Sequence, residues 1–114
     1  MDNTEFAKLA EQTISLIAEI IETEDKDCLI DIDFQGDILT LTTNQGIFVI
    51  NKHSAAKEIW LSSPISGPYH FYYAADRWQS KSSDELVAIL EQELKINFRI
   101  CFKNLKRFGE FEYG

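Results

Sequence analysis

Apolar residues recur at Phe6, Leu9, Ala10, Ile14, Ile17, Ile20 and Ile21, with Thr13 on the same stripe. This i, i+3, i+4, i+7 spacing predicts an amphipathic helix over residues 3–22. Asp2 and Glu5 stand at capping-box spacing at its start, and Glu11, Ser15, Glu19 and Glu22 fall on the opposite face. The period then changes to two. Ile30, Ile32 and Phe34 alternate with Asp31 and Asp33, which predicts a strand over residues 28–34. Its apolar set faces a core, and its two aspartates point outward, roughly 7 Å apart. Turns at Gln35-Gly36-Asp37 and Asn44-Gln45-Gly46 frame strands over 38–43 and 47–51. A fourth strand is expected over 58–62, a loop at Pro64, Gly67 and Pro68, a fifth strand over 69–73 and a short one over 77–79. Leu86, Val87, Ile89, Leu90 and Leu94 then return to helical spacing, in a helix that starts near Ser82 with Glu85 as a second capping box.

Five or six strands joined by tight turns and bracketed by two helices predict an α+β fold. The expected architecture is a two-layer sandwich, with both helices on one face of an antiparallel sheet and the other face in solvent. Phe98, Ile100 and Phe102 alternate and are expected to pack between the helices, whereas Phe108, Phe111 and Tyr113 follow no pattern. The 114 residues suit a single domain, 1–114. The longest apolar runs are four or five residues, against about 20 needed to span a bilayer.

Charge changes the picture more than composition does. The net charge is −8. Residues 1–37 hold eleven acids against two bases, a net of −9, and residues 38–114 hold eight acids against nine bases, a net of +1. The negative potential therefore belongs to the N-terminal third. It repels nucleic acid and anionic lipid and attracts cations and basic protein surfaces. A run of charge is most often a solvated face that keeps a protein in solution. Eleven acids that repel one another with few local bases to relieve them carry a cost in stability, which argues for a use. Carboxylates are hard oxygen ligands that suit iron as they suit other hard cations, but acids spread over a helix, a turn and a strand predict shallow, low-affinity sites.

The remaining candidates are few. Cys28 and Cys101 form no zinc spacing and are expected as free thiols; Cys28, beside acids, is a poor nucleophile. No phosphate-binding loop, dinucleotide fingerprint, metalloprotease or nucleophile-elbow motif occurs. Alternation places Trp60 opposite to Ile59 and Leu61; if those two face the helices, Trp60 lies on the open sheet face, where a tryptophan is a common interface anchor, and otherwise it is a core residue. His70 should point the same way and could add one imidazole to a metal; His53 is expected to be simply exposed in a polar loop. Trp78 and the tyrosines are expected as packing residues.

Asn51-Lys52, then Ile59-Trp60-Leu61-Ser62-Ser63-Pro64, then Ser66-Gly67-Pro68, resemble the signature stretch of the frataxin family, whose bacterial members are called CyaY. Tyr69-His70-Phe71, Phe6, Leu9 and Ala10, the Ile30-Asp31-Ile32-Asp33 strand and the Gly36-Asp37-Ile38-Leu39-Thr40 hairpin also match. The resemblance covers about residues 4–100 and leaves 101–114 as a tail. It implies a frataxin-like α-β-α sandwich and an iron-binding protein of iron–sulfur cluster assembly, without enzymatic activity of its own. By that resemblance Fe²⁺ or Fe³⁺ binds weakly along a ridge matching Glu11, Glu19, Glu22, Asp25, Asp27, Asp31 and Asp33, and the protein docks on the cysteine desulfurase and the scaffold protein through a surface that includes Asn51 and Trp60. Ala18, Thr23 and Leu29 stand where bacterial relatives often have acids. The expected setting is the bacterial cytoplasm, as a monomer or an iron-driven oligomer, with no organic cofactor. Two other readings compete: an acidic docking module with incidental iron, and a weak ferroxidase that stores iron in oligomers. The second needs a clustered site, and the Glu-x-x-His pairs of di-iron proteins are missing.

Overall fold

The computed structural model describes residues 1–98. Helix α1 (Asn3–Glu24) is followed by strands β1 (Asp31–Gln35), β2 (Ile38–Thr43), β3 (Gly46–His53), β4 (Glu58–Ser63), β5 (Gly67–Ala74) and β6 (Arg77–Gln79), then helix α2 (Leu86–Leu94). The six strands form one antiparallel meander in the order β1-β2-β3-β4-β5-β6, so each strand pairs with its sequence neighbours. Both helices cover one face, as the two-layer α+β reading expects.

The apolar stripe of α1 becomes the centre of the core. Phe6, Ile14, Ile17 and Ile21 are buried with Leu39, Leu41, Phe48, Ile50, Ile59, Leu61 and Phe71 from the sheet and Leu86 and Leu90 from α2. Burying each such side chain is worth roughly 1.5–3 kcal/mol. Trp78 packs edge-on against Phe6 and Tyr73, and its indole N–H donates to Thr13 Oγ1 at 3.1 Å. Its packing role is the expected one. Phe98 is fully buried, in keeping with its expected place against the helices; Ile100, Phe102, Phe108, Phe111, Tyr113 and Cys101 lie outside the described residues.

Three local expectations change. Strand β1 starts at Asp31, not near Cys28. The Asp25 carboxylate accepts the N–H groups of Leu29 (3.0 Å) and Ile30 (2.8 Å), and Cys28 takes the left-handed φ of 53°. The chain therefore turns after α1 before it extends. Phe34, expected in the core, is 41% exposed because β1 is an edge strand that the helix layer covers only in part. Helix α2 begins at Leu86, and Glu85 makes no side-chain cap. Instead Ser80 Oγ accepts the N–H groups of Ser82 and Asp84, and Glu85 bridges back to Gln79. This polar turn outcompetes one more helical turn, as serine and aspartate side chains often do.

The signature stretch around Ser63 has a physical basis. Glu93 on α2 accepts from both Ser63 Oγ and Ser66 Oγ at 2.6 Å, and Ser63 Oγ accepts the N–H groups of Ile65 and Ser66. The β4–β5 turn is thus fastened to the helix layer. Gly46 (φ +127°) lets the β2–β3 turn approach it, since a Cβ there would lie 2.6 Å from Pro64 Cβ.

Candidate functional site

Alternation along each strand sorts the sheet residues into two faces. Ile32, Leu39, Leu41, Phe48, Ile50, Ile59, Leu61 and Phe71 face the helices. Asp31, Asp33, Ile38, Ile47, Val49, Asn51, Trp60, His70 and Tyr72 therefore share the open face. The register sets Asn51 opposite Trp60 and Trp60 opposite His70. Asn51 and Trp60 are thus adjacent, on the one sheet surface to which the family resemblance assigns both. Ile38 and Ile47 are 48% and 53% exposed, so the face is apolar as well as aromatic.

Trp60 does not stand free. His53 stacks on one side of the indole (centroids 3.9 Å apart, 10° between planes), and His70 stacks on the other (4.2 Å, 9°). The indole N–H donates to Glu58 Oε1 at 2.9 Å, and His70 Nδ1 lies 4.0 Å from the same oxygen. The expectation that His53 is simply exposed in a polar loop is therefore overturned. His53 is half-buried at the end of β3, and its Nδ1 accepts the Ala56 N–H at 3.3 Å. The expected strand end at Asn51 hid this: two more residues of alternation would have put His53 on the face of Trp60.

The acids are placed in three groups. Glu11, Glu19 and Glu22 are exposed on α1; Asp27 is exposed in the turn; Asp31 and Asp33 are exposed on β1. Asp25 is half-buried, and both of its oxygens hold the turn N–H groups described above. Because Asp31 and Asp33 point to the open face, the edge strand separates them from the carboxylates of the helix layer. Among the described residues no three His, Cys, Asp or Glu side chains converge to hold a metal ion. The ridge of the sequence reading is a band of separate carboxylates that wraps the β1 edge.

Glu11 is engaged. Lys52 Nζ lies 2.7 Å from Glu11 Oε2 and 3.3 Å from Asp37 Oδ1, and the Lys52 side chain is only 9% exposed. Its hydrogen bond to Glu11 lifts the lysine above its ordinary value. Burial opposes the shift, and the bond to Asp37 reinforces it. The sequence reading gave Lys52 no role, although a charged residue at an inward position of an alternating strand is a signal that it has an internal partner.

Fold and site define a class: a small α-β-α sandwich with an acidic first helix in one layer and, on the other side, an open sheet face that carries both the aromatic residues and the aspartates of its edge strand. A family model described as a frataxin-like domain matches residues 1–100. The chain is 37% identical over 95 residues to the iron-sulfur cluster assembly protein CyaY of Aliivibrio fischeri, covering 82% of this chain and 88% of that one. It is 32% identical over 108 residues to a mitochondrial frataxin-like protein of Leishmania donovani, covering 86% of this chain and 57% of that one. Among solved structures it superposes on a Psychromonas ingrahamii frataxin of the CyaY family with TM-score 0.71 at 28% identity, over 87% and 90% of the two chains. A trimeric Saccharomyces cerevisiae frataxin complexed with ferrous iron gives TM-score 0.64 at 31% identity, over 80% and 82%. The chain belongs to the frataxin family, and its relatives include the bacterial CyaY proteins. No helix among the described residues is long and apolar enough to cross a membrane.

Proposed function

We propose that this protein binds iron weakly and adjusts iron–sulfur cluster assembly by docking on the cysteine desulfurase and the scaffold protein, in the bacterial cytoplasm. The observation that carries this reading is the placement of exposed carboxylates beside an aromatic surface on one sheet. Exposed carboxylates from Glu19 to Asp33 band the β1 edge, and Trp60 and Asn51 occupy the open face beside them. Two relatives support it: one is named for iron–sulfur cluster assembly, and the other is a structure with ferrous iron.

Isolated carboxylates hold a hydrated cation through one or two oxygens, and water completes the shell. Such binding is weak and is competed by salt. Iron is then cargo or signal rather than a resident cofactor, and the protein is not an enzyme in this reading. The weak ferroxidase alternative requires ligands that converge, and no such set stands among the described residues. Monomers are the working state, and the trimeric yeast relative makes iron-driven assembly the one to test.

An anaerobic Fe²⁺ titration followed by amide NMR tests the iron reading. Changes confined to Glu19–Asp33 and reduced in Asp31→Asn/Asp33→Asn support it. No localised change at millimolar Fe²⁺ leaves the docking module as the better account. One observation favours that second reading: Asp31 and Asp33 share a face with Trp60 and Asn51, where they would meet a basic rim on a partner. If so, charge reversal at Asp31 and Asp33 abolishes desulfurase binding, and iron leaves the complex unchanged.

A further inference from the structure

We propose that Lys52 is a built-in cation that closes Glu11 and Asp37 to metal, so that divalent cations enter the acidic band only from Glu19 onward. The inference rests on the iron-binding reading above and narrows it.

Three features carry it. First, Lys52 reaches the acids from the core side. It follows Phe48 and Ile50 at inward positions of β3, so its methylene stem lies along the helix layer and only the ammonium emerges at the rim, between Glu11 and Asp37. A lysine with a buried stem and a bound head has given up the freedom that makes exposed lysines indifferent partners. Second, the acceptor is tied to the same strand end: the Lys52 backbone N–H donates to the Asp37 carbonyl at 3.2 Å. Chain geometry thus holds the β1–β2 turn and the ammonium together. Third, a tethered ammonium competes as an intramolecular ligand. An incoming divalent cation must displace it or sit beside it, and two cations at contact distance repel.

The middle and the end of α1 therefore differ in kind. Midway along it, the Glu11 carboxylate already holds a base that lies 41 residues away in sequence. Toward its end, Glu19 and Glu22 face solvent. The acidic band is directional, with its metal-accepting part next to the turn and the β1 edge rather than along the whole helix.

The test is an anaerobic Fe²⁺ titration of protein labelled with ¹³C at Asp and Glu carboxyl carbons, read as the order in which the resonances broaden. In the unaltered protein the Glu19, Glu22, Asp31 and Asp33 carboxyls broaden first, while those of Glu11 and Asp37 persist. Lys52→Gln lowers the Fe²⁺ concentration that half-broadens Glu11 and Asp37 by up to about fivefold, the scale of one ion pair. Lys52→Arg, which keeps the charge, restores the original order. Metal-free amide spectra show whether each variant is folded. If Lys52→Gln does not fold, Glu11→Gln reads the same claim, because removing a carboxylate that does not ligate leaves iron binding at the other acids unchanged. Broadening of Glu11 as early as Glu19, no gain in Lys52→Gln, or loss of iron binding in Glu11→Gln overturns the proposal. Absence of broadening at Glu19–Asp33 in the unaltered protein overturns the iron-binding reading instead, and the behaviour of Glu11 and Asp37 in Lys52→Gln still decides the role of the lysine.

Discussion

The imidazole of His53 lies flat against the indole of Trp60, with ring centroids 3.9 Å apart and planes 10° from parallel. With His70 on the opposite side, Trp60 is held edge-on to solvent. A side chain fixed before binding loses little rotamer freedom when a partner arrives, which favours affinity. On the proposed docking, Trp60→Ala should weaken binding to the desulfurase and scaffold by about 2 kcal/mol, the scale of an interface anchor. His53→Ala should weaken it by about 0.5–1 kcal/mol through loss of one stacked pair. Titration calorimetry on the folded variants measures both, and unchanged affinity in Trp60→Ala would remove the docking face from the account.

The fastening of the β4–β5 turn by Glu93 makes a stability prediction. Glu93→Ala leaves the hydroxyls of Ser63 and Ser66 without their acceptor and should cost about 1–3 kcal/mol. Amide exchange at Ile65 and Ser66 should rise more than exchange in α1. A uniform loss across the chain would show that the helix, not the turn, depends on this residue.

The β5–β6 hairpin carries strain that can be relieved. Ala75 and Asp76 both have positive φ, 52° and 62°, in a two-residue connection between Ala74 and Arg77. Left-handed backbone disfavours an alanine by about 1–2 kcal/mol. Ala75→Gly should recover a part of this, about 0.5–1 kcal/mol after the greater chain entropy of glycine is subtracted. A urea midpoint that falls in the variant would contradict the turn geometry.

Lys52 also predicts a pH dependence. Its hydrogen bond to Glu11 raises its proton affinity in the folded state, so the pair contributes fully below the ordinary lysine value near ~10.4. The contribution is lost as pH rises through the higher folded value. Relative to Lys52→Met, the unaltered protein should therefore hold a constant advantage from pH 7 to about 9.5 and lose it above about 10.5. Both acids are more than half exposed, so the advantage is of the order of 0.2–1 kcal/mol. Chemical denaturation of the two proteins at each pH measures it, and a gap that widens in alkali would reverse the sign of the argument.

Much of this protein was legible in the sequence because its periods are strong. The 3.6-residue stripe from Phe6 to Ile21 and the alternation from Ile38 to Leu61 each specify one buried face, and a slip in register would expose that face. Turn residues at Gly36 and Gly46 marked the hairpins, so the antiparallel sheet and its open face followed. The outward placement of Asp31, Asp33, Trp60 and His70 followed from the same alternation. The boundaries were less legible. Asp25 and Ser80 bond to nearby backbone N–H groups, and this local competition shortened β1 and α2 without any change in hydrophobic pattern.

By itself, then, the sequence determined the two layers, an antiparallel sheet with tight turns, the concentration of acid in residues 1–37 and the outward face of Asp31, Asp33, Trp60 and His70, all of which depend on local period and local charge. The tertiary structure alone decided which of those residues meet. It brought Lys52 to Glu11 across 41 residues, closed His53 and His70 onto the two sides of Trp60, and tied Ser63 and Ser66 to Glu93. Pairing between distant positions depends on how the layers pack and on which side chains that packing brings into reach, and the local period does not specify those partners.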